Sequence, residues 1–308
     1  VLASREVIAD SVEVVVEAHR FDAMVCIASC DKIVPGMLMA MVRLDIPAIF
    51  VPGGPMLPGT YRCQRVTALS MSSWIAKALK KEITEEELEE VECHVSPGAG
   101  SCAGMYTANT MQAIAEALGL ALPGSATIPA VDARRLHIAK RSGEQLMYLL
   151  QQNLTPRKIL SEASFRNAIR VGMALGGSTN MTLHLPAIAH EAGISVTLDW
   201  FDELGRDTPQ LSALMPSGPY FVKDLDDAGG IPAVMKRLKE KLELDAMTVA
   251  GVPLEEVIKD ACIYRDDVIR PLDKPIRPQG AIAILKGNLA PEGAVVKQSA
   301  VTDEMLVH

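Results

Sequence analysis

Apolar positions recur at helical spacing over residues 7–19, VIADSVEVVVEAH, and run directly into the short apolar stretch AMVCIAS, so the pattern predicts a helix feeding a buried strand. After Ser29-Cys30-Asp31-Lys32 and Pro35-Gly36, the segment MLMAMVRL reads as a second helix and IPAIFV as a second strand closed by Gly53-Gly54-Pro55. Strand, helix, strand is a βαβ unit, which predicts a parallel sheet covered by helices. Ligands of such sheets collect beyond the carboxyl ends of the strands, where the Cys30 loop would lie.

Further along, residues 79–92, LKKEITEEELEEVE, predict one solvated helix with a cap at Thr84 and Glu87 three residues on. Pro97-Gly98-Ala99-Gly100-Ser101-Cys102 leads into a small-residue helix, AGMYTANTMQAIAEALGL, ended by Pro123-Gly124. That order puts Cys102 at or next to a helix N-terminus, where free N–H groups would lower a thiol pKa. A second such start, Gly176-Gly177-Ser178-Thr179-Asn180, precedes MTLHLPAIAHEAG and offers N–H groups and hydroxyls to a carboxylate or phosphate. The texture then changes to short β-type runs broken by Pro271, Pro275, Pro278 and Gly280. The expected organisation is an α/β domain over 1–242, a linker over 243–273, and the truncated start of a β-rich domain over 274–308.

Composition narrows the function classes. The 308 residues are 49% hydrophobic and 22% charged, ordinary for a folded protein and unlike a disordered chain. A formal charge of −8 argues against nucleic acid or an anionic membrane as the main partner. No apolar run reaches the roughly 18–20 residues that span a bilayer, because Arg43, Asp45 and Pro47 interrupt the longest candidate. Six cysteines in a chain this long fit a reducing, cytoplasmic setting, or an organelle in a eukaryote. The opening at Val1 reads as mid-domain, so the expectation is a segment of a longer polypeptide.

Cys30 and Cys102 are the two thiols on turn-flanked loops, each preceded by a serine, and could share one metal centre. Seventy-two residues of separation match no local metal signature, and free cysteine is commonly a small buried hydrophobe. Asp31 is a hard oxygen donor suited to Mg²⁺, whereas Lys32 alone is no ligand; the plain alternative is a salt bridge between them. Cys26 and Cys262 sit in apolar runs, Cys63 and Cys93 in polar ones, and all four read as structural or incidental. His94, His137, His184 and His190 show no ligand spacing, and no nucleophile elbow or P-loop occurs.

The wording SREVIADSVE, SCDKIVPGMLMAMVRLDIPAIFVPGGPM, PGAGSCAGMYTANTM, EALGLALPGSATIPAVDARR, MALGGSTNMTLHLPAIAHEAGI and DLDDAGGIPAVMKRL resembles the dihydroxy-acid/6-phosphogluconate dehydratase family over almost the whole chain. GSCAGMYTANTM and LPGSATIPA resemble its branched-chain biosynthetic branch. The resemblance implies hydro-lyase chemistry that turns a 2,3-dihydroxy carboxylate into a 2-keto acid for valine and isoleucine synthesis. It implies a two-iron or four-iron iron–sulfur cluster with an open iron, a nearby Mg²⁺, a swivelling barrel-like second domain, and a homodimer.

By the same resemblance, Cys30 and Cys102 would be two of three cluster thiolates, Asp31 an Mg²⁺ ligand, and Lys32 a carbamylated lysine that supplies a further oxygen. The third cysteine and a second aspartate would lie upstream of Val1. An Mg²⁺-binding glutamate and the serine base would lie downstream of His308, so no catalytic base is assigned here and the segment alone is expected to be inactive. Ser178, Thr179 and Asn180 are read as a substrate seat, against the alternative of a cap and close-packing turn. The competing readings are an aldonic or sugar-acid dehydratase with the same metals, and a non-catalytic fragment or interaction module.

Overall fold

The βαβ unit forms as the hydrophobic pattern requires. In the computed structural model, which describes residues 2–305, β1 (Met24–Ala28) and β2 (Ala48–Pro52) pair in parallel, with Met24 opposite Ala48 and Ala28 opposite Pro52. Every side chain of β2 is buried, while β1 alternates buried and exposed, as an edge strand does. Before and between them stand α1 (Ser4–His19) and α2 (Ile33–Leu44), packed on each other.

Helix α2 starts earlier than the pattern suggests and absorbs Pro35-Gly36. Proline is tolerated in a first turn, where its missing N–H has no partner to lose. Gly36 is needed for close approach: a Cβ there would stand 2.8 Å from the Arg5 carbonyl oxygen of α1.

The sheet is smaller than a largely parallel sheet. Single parallel bridges, Phe50 with Ala121 and Pro55 with Ser101, extend β2 without making a third strand, because Pro123-Gly124 turns the chain away within two residues. The rest is mostly helical, a mixed α/β arrangement: a hairpin of β3 (Gly59–Tyr61) and β4 (Gln64–Val66), then α3 (Met71–Leu79), α4 (Glu85–Glu92), α5 (Thr107–Ala117), α6 (Arg134–Gln152), α7 (Pro156–Ile159), α8 (Glu162–Leu175), α9 (Met181–Glu191), α10 (Leu198–Asp207), α11 (Val222–Asp227), α12 (Gly230–Arg237) and α13 (Leu254–Lys259).

The helix expected within 79–92 is α4, which starts only after Thr84; Leu79 ends α3, and the turn between them passes through Lys81, whose φ of 59° is left-handed. Thr84 caps α4 as its spacing suggests, its Oγ1 accepting from the Glu87 N–H at 3.2 Å. Glu85, Glu86 and Glu87 add favourable charge in the first turn. Thr84→Ala is expected to cost about 1 kcal/mol, read as faster hydrogen exchange at the Val91 amide; unchanged exchange would contradict the cap's role.

One apolar core runs through most of the molecule, with Phe50, Met111, Ile114, Phe165 and Phe201 fully buried or nearly so. Tyr61, Val66, Val91 and Val95 form a separate small core under the β3–β4 hairpin. The stretch 243–273 contains α13 and buries Leu254, Ile258, Val268 and Ile269 in the main core. Beyond it, β5 (Ala283–Gly287) and β6 (Ala290–Val296) make an antiparallel hairpin, anchored where the Gly280 and Ala281 N–H groups donate to the Gly205 and Met173 carbonyls. Among the described residues no sheet closes into a barrel, and no helix is long and apolar enough to cross a membrane. The last three residues of the expected β-rich segment lie outside the described residues.

Candidate metal centre

Cys30 follows β1 and Cys102 follows the bridge between Pro55 and Ser101, so both loops leave the carboxyl-end side of the parallel strands. Both thiols line one cavity of about 440 Å³, walled on the other side by Thr67, Ala68, Leu69 and Val95 of the small hairpin lobe. A buried polar network ties the two loops together. Gln112 of α5 accepts from the Gly54 N–H at 2.8 Å and donates to Ser101 Oγ at 3.1 Å, to Asn109 Oδ1 at 3.2 Å and to the Ser29 carbonyl at 3.4 Å. Asn109 in turn donates to the carbonyls of Cys102 and Gly104. Gly100 has a φ of +128°, and a Cβ on it would sit 2.5 Å from the Met56 N, so only glycine fits this approach to the Cys102 loop.

The expected helix start at Cys102 is displaced. Helix α5 begins at Thr107, and Asn109 of its first turn holds the preceding loop through its side chain. Burial consequently pushes the Cys102 thiol up rather than down, with nearby Cys30 and Asp31 acting in the same direction. Cys30 Sγ lies 3.9 Å from Asp31 Oδ1.

Asp31 and Lys32 form the ion pair that the plain reading anticipates, Lys32 Nζ to Asp31 Oδ2 at 3.4 Å, but they are not simply surface charges. Lys32 is buried at the position just before the first turn of α2, without a side-chain capping bond. Its Nζ also lies 3.4 Å from Asn180 Oδ1 and 3.4 Å from His184 Nε2. Asn180 precedes α9 without capping it through its side chain; its Nδ2 donates instead to Thr107 Oγ1 at 3.0 Å and Ser178 Oγ at 3.2 Å. The Ser178 N–H donates to Thr110 Oγ1 at 3.0 Å, which pins the Gly176–Asn180 turn to α5. The turn therefore packs tightly and also carries Asn180 to Lys32. Thr179 joins only through its carbonyl, which accepts from Thr182 Oγ1 at 2.9 Å.

His184 carries no ligand spacing, yet it is fully buried on α9 beside Lys32. Burial, then the charges of Lys32 and Arg5, lower its pKa to about 4 and keep it neutral. The signal available in the sequence was a single ionisable residue inside the largely apolar run MTLHLPAIA. Tyr106 lines the cavity with a buried hydroxyl, and burial first and Cys102 second push its pKa up to about 12. Of the remaining thiols, Cys26 is buried and pushed up to about 12, whereas Cys63, Cys93 and Cys262 are exposed, so the apolar setting expected for Cys262 does not enclose it.

Among the described residues, no three His, Cys, Asp or Glu side chains gather closely enough to hold a metal ion by themselves. The donor set is nonetheless chemically sorted: two soft thiols face one cavity, with a hard carboxylate and a buried lysine beside them. Those types suit a thiolate-held iron–sulfur group and an oxygen-held divalent cation respectively.

Fold and site together define an α/β protein whose ligand-facing groups gather beyond the carboxyl ends of parallel strands. Residues 1–257 match the family model described as dihydroxy-acid/6-phosphogluconate dehydratase N-terminal, and residues 267–308 match its C-terminal counterpart. The chain belongs to the dihydroxy-acid/6-phosphogluconate dehydratase family. It is 52% identical over 309 residues to the dihydroxy-acid dehydratase of Halothermothrix orenii and 50% identical over 308 to that of Methanothermobacter thermautotrophicus. It is 53% identical over 311 residues to that of Methanosarcina barkeri. Each alignment covers 100% of this chain and 56% of the relative, so the chain spans about half the length of the relatives it matches.

Proposed function

We propose that the protein is a hydro-lyase that removes water from a 2,3-dihydroxy carboxylate to leave a 2-keto acid, with a branched aliphatic substrate of valine and isoleucine synthesis. The observation that carries this is the cavity shared by Cys30 and Cys102, next to Asp31 and the buried Lys32. Met56, Ala68, Leu69, Val95 and Ala103 give this cavity an apolar wall that suits a branched aliphatic group, while Thr67, Ser96, Ser101 and Tyr106 bring the hydroxyls to its lining.

Cys30 and Cys102 would hold part of an iron–sulfur cluster, while Asp31 and a carbamylated Lys32 would hold Mg²⁺. When bound, these groups supply Lewis acidity for the departing C3 hydroxyl and for the acidity of the C2 proton. The chain's own residues bind and orient. Ser178 and Asn180, with Thr179 at the mouth of the turn, seat the carboxylate end, and the apolar wall keeps water from the branched end. Loss of the C2 proton and the C3 hydroxyl leaves an enol, which tautomerises to the keto acid. Six free thiols suit the cytoplasm or another reducing compartment, and a homodimer is the assembly proposed.

Anaerobic reconstitution with iron and sulfide tests the reading. Cys30→Ser and Cys102→Ser are each expected to weaken iron retention by at least about tenfold, while Cys262→Ser leaves it unchanged. Equal iron in all four proteins would refute the shared centre. In the intact protein, a pentonate turned over faster than 2,3-dihydroxy-3-methylbutanoate would instead indicate a sugar-acid dehydratase.

A further inference from the structure

We propose that His184, oriented by Arg5, is a positioning residue that makes the environment of Lys32 accept a carbamate in preference to an ammonium. The inference rests on Lys32 being a carbamylated ligand, as proposed above, and adds what selects that form.

The polarity of the contacts carries the argument. Arg5 Nη1 lies 3.1 Å from His184 Nδ1 and 3.2 Å from the Leu183 carbonyl. A guanidinium only donates, so Nδ1 must be the accepting nitrogen of a neutral ring. The single ring proton then sits on Nε2, which points at Lys32 Nζ across 3.4 Å. With an ammonium at position 32, two donors face each other inside a buried contact. With a carbamate, the lysine ends in two acceptor oxygens, and the Nε2–H meets one of them.

Carbamate formation balances without a redox partner. The ammonium first gives one proton to solvent by way of the Asp31 carboxylate, 3.4 Å from Nζ and 42% exposed; the neutral amine then attacks carbon dioxide, an N–C bond forms as one C=O electron pair moves onto oxygen, and the second proton leaves the nitrogen by the same route to water.

The other neighbours do not fix the polarity. Asn180 contacts Lys32 through its amide oxygen and the Thr107 and Ser178 hydroxyls through its nitrogen. Hydroxyls serve as donors or acceptors, so a half-turn of this amide presents N–H to a carbamate at no loss of partners. Asp31 suits the ammonium, and its carboxylate is 42% exposed and free to turn to a cation. Arg5 and His184 lack that freedom. Arg5 stands on α1 and His184 on α9, both packed against α2, at whose start Lys32 lies, so the two are held in place by the core.

The test uses the chain with ¹³C-bicarbonate and Mg²⁺, following the carbamate carbon by NMR. The wild type is expected to show the signal and Lys32→Arg to lack it. His184→Phe should lower carbamate occupancy by about tenfold or more at fixed bicarbonate, and His184→Gln, whose amide donates from nearly the same place as Nε2, should retain it. In ¹⁵N-histidine-labelled wild type, His184 should appear as the Nε2–H tautomer, a reading that needs no variant to fold. No carbamate in the wild type would remove both the ligand role of Lys32 and this proposal. A carbamylated wild type matched by an equally carbamylated His184→Phe, or an Nδ1–H tautomer, would overturn the positioning role alone.

Discussion

Gln112→Leu is expected to destabilise the chain by roughly 4 kcal/mol and to lower its iron retention, because among the described residues no other side chain joins the same three segments. The substitution is close to isosteric, so little of the cost is cavity. It comes from orphaned groups: the Gly54 N–H loses its acceptor, and Ser101 Oγ, Asn109 Oδ1 and the Ser29 carbonyl lose a donor. Each buried group left unsatisfied costs about 1–3 kcal/mol, and partial rearrangement within the Ser101–Asn109 pair keeps the sum near 4. Ser29 adjoins Cys30 and Ser101 adjoins Cys102, so the same loss lets the two thiols drift apart. Equilibrium urea unfolding measures the first effect, and iron retained after anaerobic reconstitution the second. A loss below about 1 kcal/mol with unaltered iron retention would show that backbone pairing alone sets the loops.

The second large effect is a dependence on pH centred on Glu116. This carboxyl, buried in α5, has its pKa raised from 4.5 to about 7, chiefly by burial. The backbone N–H groups of Ala126 and Gly124, then the charge of Arg135, act in the opposite direction. Between pH 4.5 and 7 the folded chain holds a proton that the unfolded chain has lost. Stability from this group is therefore complete below about 4.5 and falls as pH rises through about 7, by on the order of 3 kcal/mol in all. Glu116→Gln removes the slope. Its amide turns an NH₂ toward one of the two backbone N–H groups, so the variant is expected to be the less stable protein at pH 5. Near pH 8 it should approach or pass the wild type. Urea midpoints for the two proteins at both values decide, and parallel pH profiles would exclude Glu116 as the source. Arg135, whose charge acts on Glu116, also donates to the Pro52 carbonyl at 2.6 Å at the end of β2.

How much of this could be read from the chain depends on the range of the interaction concerned. The βαβ order, the cap at Thr84 and the turn before α9 follow from local rules, in which hydrophobic period, hydroxyl spacing and paired glycines act within a few residues. The turn over 80–84 was less accessible, because the charges of LKKEITEEELEEVE fit a solvated helix of either length. The pKa direction at Cys102 was misjudged for a related reason: the helix begins five residues later, and burial outweighs a dipole that far away.

The amino-acid order by itself determined the helix and strand pattern, the family wording, and the residue types Cys30, Asp31, Lys32 and Cys102 at turn-flanked positions. Only the tertiary structure decided that Cys30 and Cys102 open on one cavity, that Gln112 holds their loops, and that Arg5 and His184 stand around Lys32. The physical reason is that hydrogen-bond partners across 83 or 179 positions of chain are chosen by packing of the helices that carry them. A polar residue within an apolar run, such as Gln112 or His184, announces that it will be buried; which group satisfies it is set by the core that closes around it.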